Sequence, residues 1–151
     1  MKLKRILASL LAILIAFSGI SAFAAAETII IDGERAEIPP EMGFIKEMDE
    51  RTFVPIRFVM EYLGCHVDFD DTNHAATVSS DTCAYLIQED NPKLFIIPFT
   101  GEDSKSLVMD TAPFIDLTES RMYIPIRFLA EAIGYDVGWD EKTQTVTLSS
   151  K

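Results

Sequence analysis

Basic residues are scarce in this sequence: thirteen Lys and Arg stand against twenty-four Asp and Glu, a formal net charge of −11. Such a chain repels nucleic-acid phosphates and anionic membrane surfaces, which removes both as partners. Long apolar runs are missing as well. The one strong run, Ile6 to Phe17, covers twelve residues, short of the ~20 that a membrane-spanning helix needs. No phosphate-cradling loop and no Gly-x-Ser-x-Gly elbow is present, and Cys and His lack the local setting of a thiol nucleophile. Paired carboxylates are plentiful, as the charge dictates, so they single out no glycosidase pair. The expectation is a protein that is not an enzyme and carries no cofactor, with a hydrolase as the one catalytic alternative. No Pro-, Gly- or Ser-rich linker divides the chain.

What the first residues do contain is an ordered leader. Lys2, Lys4 and Arg5 precede the apolar run, and Ser18, Gly19 and a small-residue stretch ending at Ala26 follow it. This is the charged, apolar, small-residue order of a secretory signal peptide, assigned to residues 1–26, with the mature chain beginning near Ala25 or Glu27. An uncleaved anchor is the competing reading, and the shortness of the apolar run argues against it. No cysteine lies at the cleavage points, which argues against a lipid anchor. Without residues 1–26, ten Lys and Arg face twenty-four Asp and Glu, a net charge of −14. The expected address is outside the cell or on its surface or wall, with no stable membrane insertion after cleavage.

The most informative feature is a thirty-residue stretch written twice. Arg51–Ser80 reads RTFVPIRFVMEYLGCHVDFDDTNHAATVSS and Arg121–Ser150 reads RMYIPIRFLAEAIGYDVGWDEKTQTVTLSS, with twelve identical positions and no gap. Phe44-Ile45 and Phe114-Ile115 keep the same offset, so the similarity starts before the stretch itself. An internal duplication follows, with repeat 1 over about 28–80 and repeat 2 over about 81–151 of a single domain, 27–151. In each copy a strand enters a helix that carries Pro55 or Pro125 in its first turn. Gly64 or Gly134 closes that helix. Ile56, Val59, Met60 and Leu63 share one helical face, flanked by Phe58 and Tyr62, and Ile126, Leu129, Ala130 and Ile133 do the same in the second copy.

Alternating strands follow at Cys65–Phe69 and Tyr135–Trp139, then polar turns and return strands, with Phe69 and Trp139 expected to cap the core. Asp32-Gly33 between two apolar runs predicts an opening hairpin. Met42 to Lys46 suggests a short strand, and a second hairpin is expected around Glu89–Pro92. The fold class is α+β: two tandem repeats, each a short helix packed in a curved, mainly antiparallel sheet. Nothing follows the second copy like the hairpin after the first, so its edge is expected to be covered from elsewhere, as by the N-terminal hairpin, or left open.

Three groups of side chains invite chemistry. Cys65 and Cys83, the only cysteines, could form a disulfide in an exported chain, with two buried free thiols as the alternative. His66, Asp68 and Asp70 share one side of a strand, and His74 sits in the adjoining turn. Such a set could hold zinc or copper, but exposed strand residues look the same and no metal site is assigned. Arg57 with Glu61 and Arg127 with Glu131 are spaced i,i+4 in the weaker order for a helix-surface pair. Each Arg is therefore expected to reach strand carbonyls or the turn carboxylates Asp70 and Asp140, locking helix to hairpin.

The strings Val54–Gly64 and Ile124–Gly134, each followed by Val, an aromatic-Asp pair (Phe69-Asp70, Trp139-Asp140) and an alternating strand, resemble the bacterial copper amine oxidase N-terminal-like, or stalk, domain. The family's usual Asn-Gly-Arg before the helix is reduced here to Asp49-Glu50-Arg51 and Glu119-Ser120-Arg121. The resemblance marks Pro55, Arg57, Glu61, Gly64, Phe69, Asp70, Pro125, Arg127, Glu131, Gly134, Trp139 and Asp140 as a structural motif. It implies a secreted envelope module in which a sheet curls about a helix, with neither copper nor quinone. Only His66 and His74 are available as imidazoles, and no Asn-Tyr dipeptide occurs, so the oxidase chemistry is absent. The expectation is a non-catalytic module that binds an envelope protein or cell-wall glycan; the alternative is a structural stalk or spacer. A spacer needs something to position, which tilts the expectation toward interaction.

Overall fold

The computed structural model describes residues 28–151; the expected signal peptide, 1–26, lies outside them. Strand β1 (Thr28–Ile31) turns at Asp32-Gly33 into β2 (Glu34–Ala36). Both turn residues have positive φ, 48° and 85°, the geometry that matches the twist of a two-residue hairpin. A single 3₁₀ turn, Pro40–Met42, replaces the strand expected over 42–46, and the strand starts later, as β3 (Lys46–Met48). Pro39-Pro40 and Gly43 account for the shift: Pro39 and Pro40 have no amide to give a sheet ladder, and Gly43 bends the chain at φ 107°.

Strand β4 (Arg51–Pro55) runs straight into helix α1 (Ile56–Tyr62), and β11 (Arg121–Pro125) into α2 (Ile126–Ala132). Each proline ends its strand and is the residue just before the helix, with φ near −62°, a value its ring fixes in advance. Gly64 donates its N–H to the Glu61 carbonyl and Cys65 donates to Met60, the paired bonds of a Schellman end. Gly134 likewise donates to Glu131. Between and after these units lie β5 (His66–Asp70), β6 (Ala75–Ser79), β7 (Cys83–Gln88), β8 (Lys93–Pro98), β9 (Lys105–Val108), β10 (Phe114–Asp116), β12 (Tyr135–Asp140) and β13 (Thr145–Ser150).

The described residues are mostly strand with two short helices, an α+β arrangement of three sheets in the orders β12-β13-β1-β2, β10-β11-β4-β3 and β5-β6-β7-β8-β9. All pairings are antiparallel except β1 with β13, where Thr28–Ile31 lie beside Thr145–Leu148 in parallel. The N-terminal hairpin thus covers the edge of β13. Asp32 ties the joint from both ends: its N–H donates to the Leu148 carbonyl at 2.9 Å and its carboxylate accepts from the Ser150 N–H at 2.7 Å.

The middle sheet carries the register that matters most. Strands β4 and β11 pair with Val54 opposite Ile124, flanked by Phe53 with Pro125 and Pro55 with Tyr123. Residues seventy positions apart therefore face each other or exchange places across this pair. Both central side chains are fully buried, and the core is one cluster that includes Ile29 and Leu148, Val59 and Met60 of α1, Leu129 and Ala130 of α2, and Val78, Ile87 and Leu94 of the five-stranded sheet. Burying such aliphatics at about 25 cal/mol per Å² makes this cluster the main source of stability.

Candidate functional site

Arg57 and Asp70, expected to lock helix to hairpin, do not meet. Arg57 Nη1 contacts Glu61 Oε1 at 3.2 Å on the exposed face of α1, and the Arg127 side chain makes no hydrogen bond or ion pair among the described residues. Asp70 is occupied locally: it accepts from the Thr72 and Asn73 amides and the Asn73 side chain. Asp140 accepts from Lys142 and Thr143 in the same way. These bonds hold both carboxylates below the usual range, Asn73 contributing most at Asp70 and the Lys142 amide at Asp140. A short polar side chain that can close its own turn does so in preference to reaching across the surface.

The other two groups also stay apart. His66 contacts Asp68 at 3.2 Å, while His74 pairs with Glu89 on the next hairpin at 2.7 Å. Among the described residues no group of three or more His, Cys, Asp or Glu is placed to hold a metal ion. Cys65 and Cys83 are free thiols. Cys65 leads into β5 and Cys83 opens β7, with β6 between those strands, a backbone separation of roughly 10 Å against the ~7 Å a disulfide tolerates. Burial pushes the Cys65 thiol up, away from the reactive thiolate.

The central register does bring some of these residues together, as two surface clefts. Because β4 and β11 run antiparallel about Val54 and Ile124, the start of each strand lies beside the helix that follows the other. The first cleft, about 620 Å³, gathers Arg57 of α1, Arg121 of β11 and Phe69 of β5 over a floor of Ile56 and Val67. The second, about 410 Å³, gathers Arg127 of α2, Arg51 of β4 and Trp139 of β12 over Ile126 and Val137. Every one of these residues has its counterpart seventy positions away. Both volumes lie in the range of small-ligand sites.

The two aromatics form cleft walls. By strand alternation Phe69 and Trp139 point to the same side as the inward Val67 and Val137, yet they remain 37 % and 39 % exposed. Each lies on the edge strand of its own sheet, β5 and β12, where a neighbouring strand flanks one side alone. This corrects the expectation that they seal the core. Sequence inspection also missed Arg51 and Arg121 as site residues, although both fall at identical positions of the doubled stretch. Their place in a cleft depends on the pairing of β4 with β11, and no local pattern encodes it.

Behind the first cleft, a polar cluster fixes the turn that carries Arg121. Lys46 bonds Asp116 and contacts Glu119 at 2.7 Å, and its Nζ lies 4.4 Å from the centre of the Tyr123 ring. The Tyr123 hydroxyl donates to Glu119 and accepts from the Phe44 N–H at 3.1 Å.

Against known families, residues 30–148 match the copper amine oxidase N-terminal domain. The chain belongs to this family. The copper amine oxidase N-terminal domain is a non-catalytic, stalk-like unit. No curated protein and no solved structure matches the chain. Within the family motif, Pro55, Gly64, Pro125 and Gly134 shape the helix ends, Asp70 and Asp140 close turns, and Arg57, Phe69, Arg127 and Trp139 line the clefts. Glu61 and Glu131 supply carbonyls to the glycine caps.

Proposed function

We infer that this protein is a non-catalytic interaction module of the cell envelope, secreted behind the leader at residues 1–26, that binds an envelope protein or a cell-wall component. The observation that carries this reading is the pair of clefts, each open to solvent and each walled by a partly exposed aromatic ring. Exposed rings beside guanidinium groups are surfaces that recognise rather than react: Ser120 and His74 both line the first cleft, but His74 bonds Glu89 and no hydrogen bond joins it to Ser120 among the described residues. Family membership supports the non-catalytic reading, and the charged-apolar-small leader supports export. The seventy-residue offset of the elements supports an origin as two copies of one unit, with β1 of the N-terminal hairpin pairing with β13 where β7 pairs with β6 in the first copy.

Incubation of the purified protein with isolated cell walls, and separately with envelope extract, tests the reading. Retention on walls, or recovery of one stoichiometric envelope protein, is the expected result. A protein that stays in the cytoplasmic fraction of its own cell, or that is retained by neither preparation, refutes it and leaves the plain spacer.

A further inference from the structure

The contents of the two clefts narrow the ligand. In the first, Arg57 and Arg121 are balanced by Asp68 and Asp71; in the second, Arg127 and Arg51 face Glu47, Glu50 and Asp110. Arg51 in fact contacts Asp110 at 2.6 Å. A phosphate or carboxylate ligand needs an excess of cations, and a cationic ligand an excess of carboxylates. Neither cleft has an excess of cations, and Glu47, the surplus carboxylate of the second, already accepts from the Thr52 hydroxyl at 2.6 Å. An apolar peptide needs a dry groove, whereas here a ring of charged donors and acceptors surrounds each apolar floor. What remains is a ligand with an apolar face and an edge dense in groups that both donate and accept.

A pyranose ring has that form. Its C–H face can lie on an aromatic ring, and its hydroxyls can donate to carboxylates and accept from guanidiniums. Two equivalent clefts on one chain further favour a ligand that repeats along its length, because the second contact is then made at high effective concentration. Building on the envelope reading above, we propose that the clefts walled by Phe69 and Trp139 are paired subsites for a neutral β-linked glycan chain. The Phe69 and Trp139 rings stack on sugar faces. Arg57 with Arg121, and Arg127 with Arg51, bond the hydroxyls.

Trp139 is the only tryptophan in the sequence, so its fluorescence follows one cleft alone. Titration with chitohexaose and cellohexaose is expected to shift Trp139 emission to shorter wavelength with at least one of them, in a saturable manner. Calorimetry with the corresponding disaccharide is expected to count two sites per chain, falling to one in Trp139→Ala and one in Phe69→Ala. Arg127→Gln, which leaves the ring in place, is expected to weaken the Trp139 site about tenfold, the loss of one charged hydrogen bond. Circular dichroism of each variant verifies folding, and the wild-type emission change needs no variant. No emission change with either hexaose, or an unchanged site count in both ring variants, overturns the proposal. Wall retention that survives the double variant Phe69→Ala/Trp139→Ala also overturns it while leaving the envelope reading intact; absence of wild-type retention on walls and in extract strikes the envelope reading itself.

Discussion

Replacing Gly43 with alanine should be among the most damaging small changes in the protein, and the structure says why. Gly43 has φ 107° and ψ −162°, a region essentially reserved for glycine, where a side chain costs about 1–3 kcal/mol. A Cβ there would also stand 2.6 Å from the Tyr123 hydroxyl and 3.1 Å from Pro55 Cγ. The hydroxyl cannot retreat freely, because it accepts from the Phe44 N–H and donates to Glu119, and losing one such bond costs about 1 kcal/mol. The total is about 3 kcal/mol. Gly33 is the control: its φ is 85° but no atom lies within 4 Å of its virtual Cβ, so Gly33→Ala should cost only the left-handed backbone, about 1 kcal/mol. Urea unfolding at constant m-value measures both. Tyr123→Phe completes a cycle: alone it should cost about 1 kcal/mol, but in the Gly43→Ala background it removes the collision and should cost nothing or restore stability. Equal losses for Gly33→Ala and Gly43→Ala, or additive effects in the cycle, would refute the reasoning.

The turn before β4 puts non-glycine residues Asp49 and Glu50 at φ 49° and 60°; Glu50→Gly should raise stability by about 1 kcal/mol, and an unchanged urea midpoint would show that the turn stores no strain. At Lys46, burial pulls the pKa down but bonds to Asp116 and Glu119 outweigh it, so the net shift is upward; Lys46 in turn holds both carboxyls below their ordinary values of 3.8 and 4.5. Depressed carboxyls contribute stability above those values and lose it as pH falls through their folded-state pKa. The stability gap between wild type and Lys46→Met should therefore be widest near neutrality and close in acid; a gap independent of pH would contradict the ion-pair assignment. Alkylation of the denatured protein without reductant should add two adducts, one each at Cys65 and Cys83, whereas a mass lacking both would reveal a bridge.

Much of the fold could be read from local pattern. The Asp32-Gly33 hairpin, the proline-entered and glycine-ended helices, and the strands after them depend on interactions within about ten residues, which composition and periodicity encode. Cover of the β13 edge by the N-terminal hairpin was one of the two outcomes expected, the other being an open edge. Illegible features all involve distant partners. The parallel joint of β1 with β13 spans residues 28 and 145, and nothing in either strand specifies the direction of pairing. The Arg57 and Arg127 assignments failed for a related reason: a regular spacing shows that a residue recurs, while its partner depends on which loops the sheet brings near. Asp70 and Asp140 had nearer donors in their own turns.

The register of β4 with β11 explains why the clefts resemble each other in frame and differ in content. Pairing Val54 with Ile124 makes each helix face the first residue of the other half's strand, so any side chain kept in both halves at that position, such as Arg51 and Arg121, appears once in each cleft. Identity between the halves therefore builds two matching frames of arginine, proline and aliphatic floor. Differences fall on the walls: Phe69 against Trp139, Asp68 against Gly138, and the exposed Leu117 against Glu47. The cleft with tryptophan also has glycine where the other has Asp68, which removes a charged side chain from its wall. Two sites on a common frame but with unequal walls should bind the same repeating ligand with unequal strength, the larger ring giving the stronger contact. Disaccharide titration should then resolve two affinities, with the tighter one lost in Trp139→Ala and the weaker one in Phe69→Ala; the reverse order would mean that the floor and the arginines, and not the rings, set the strength of binding.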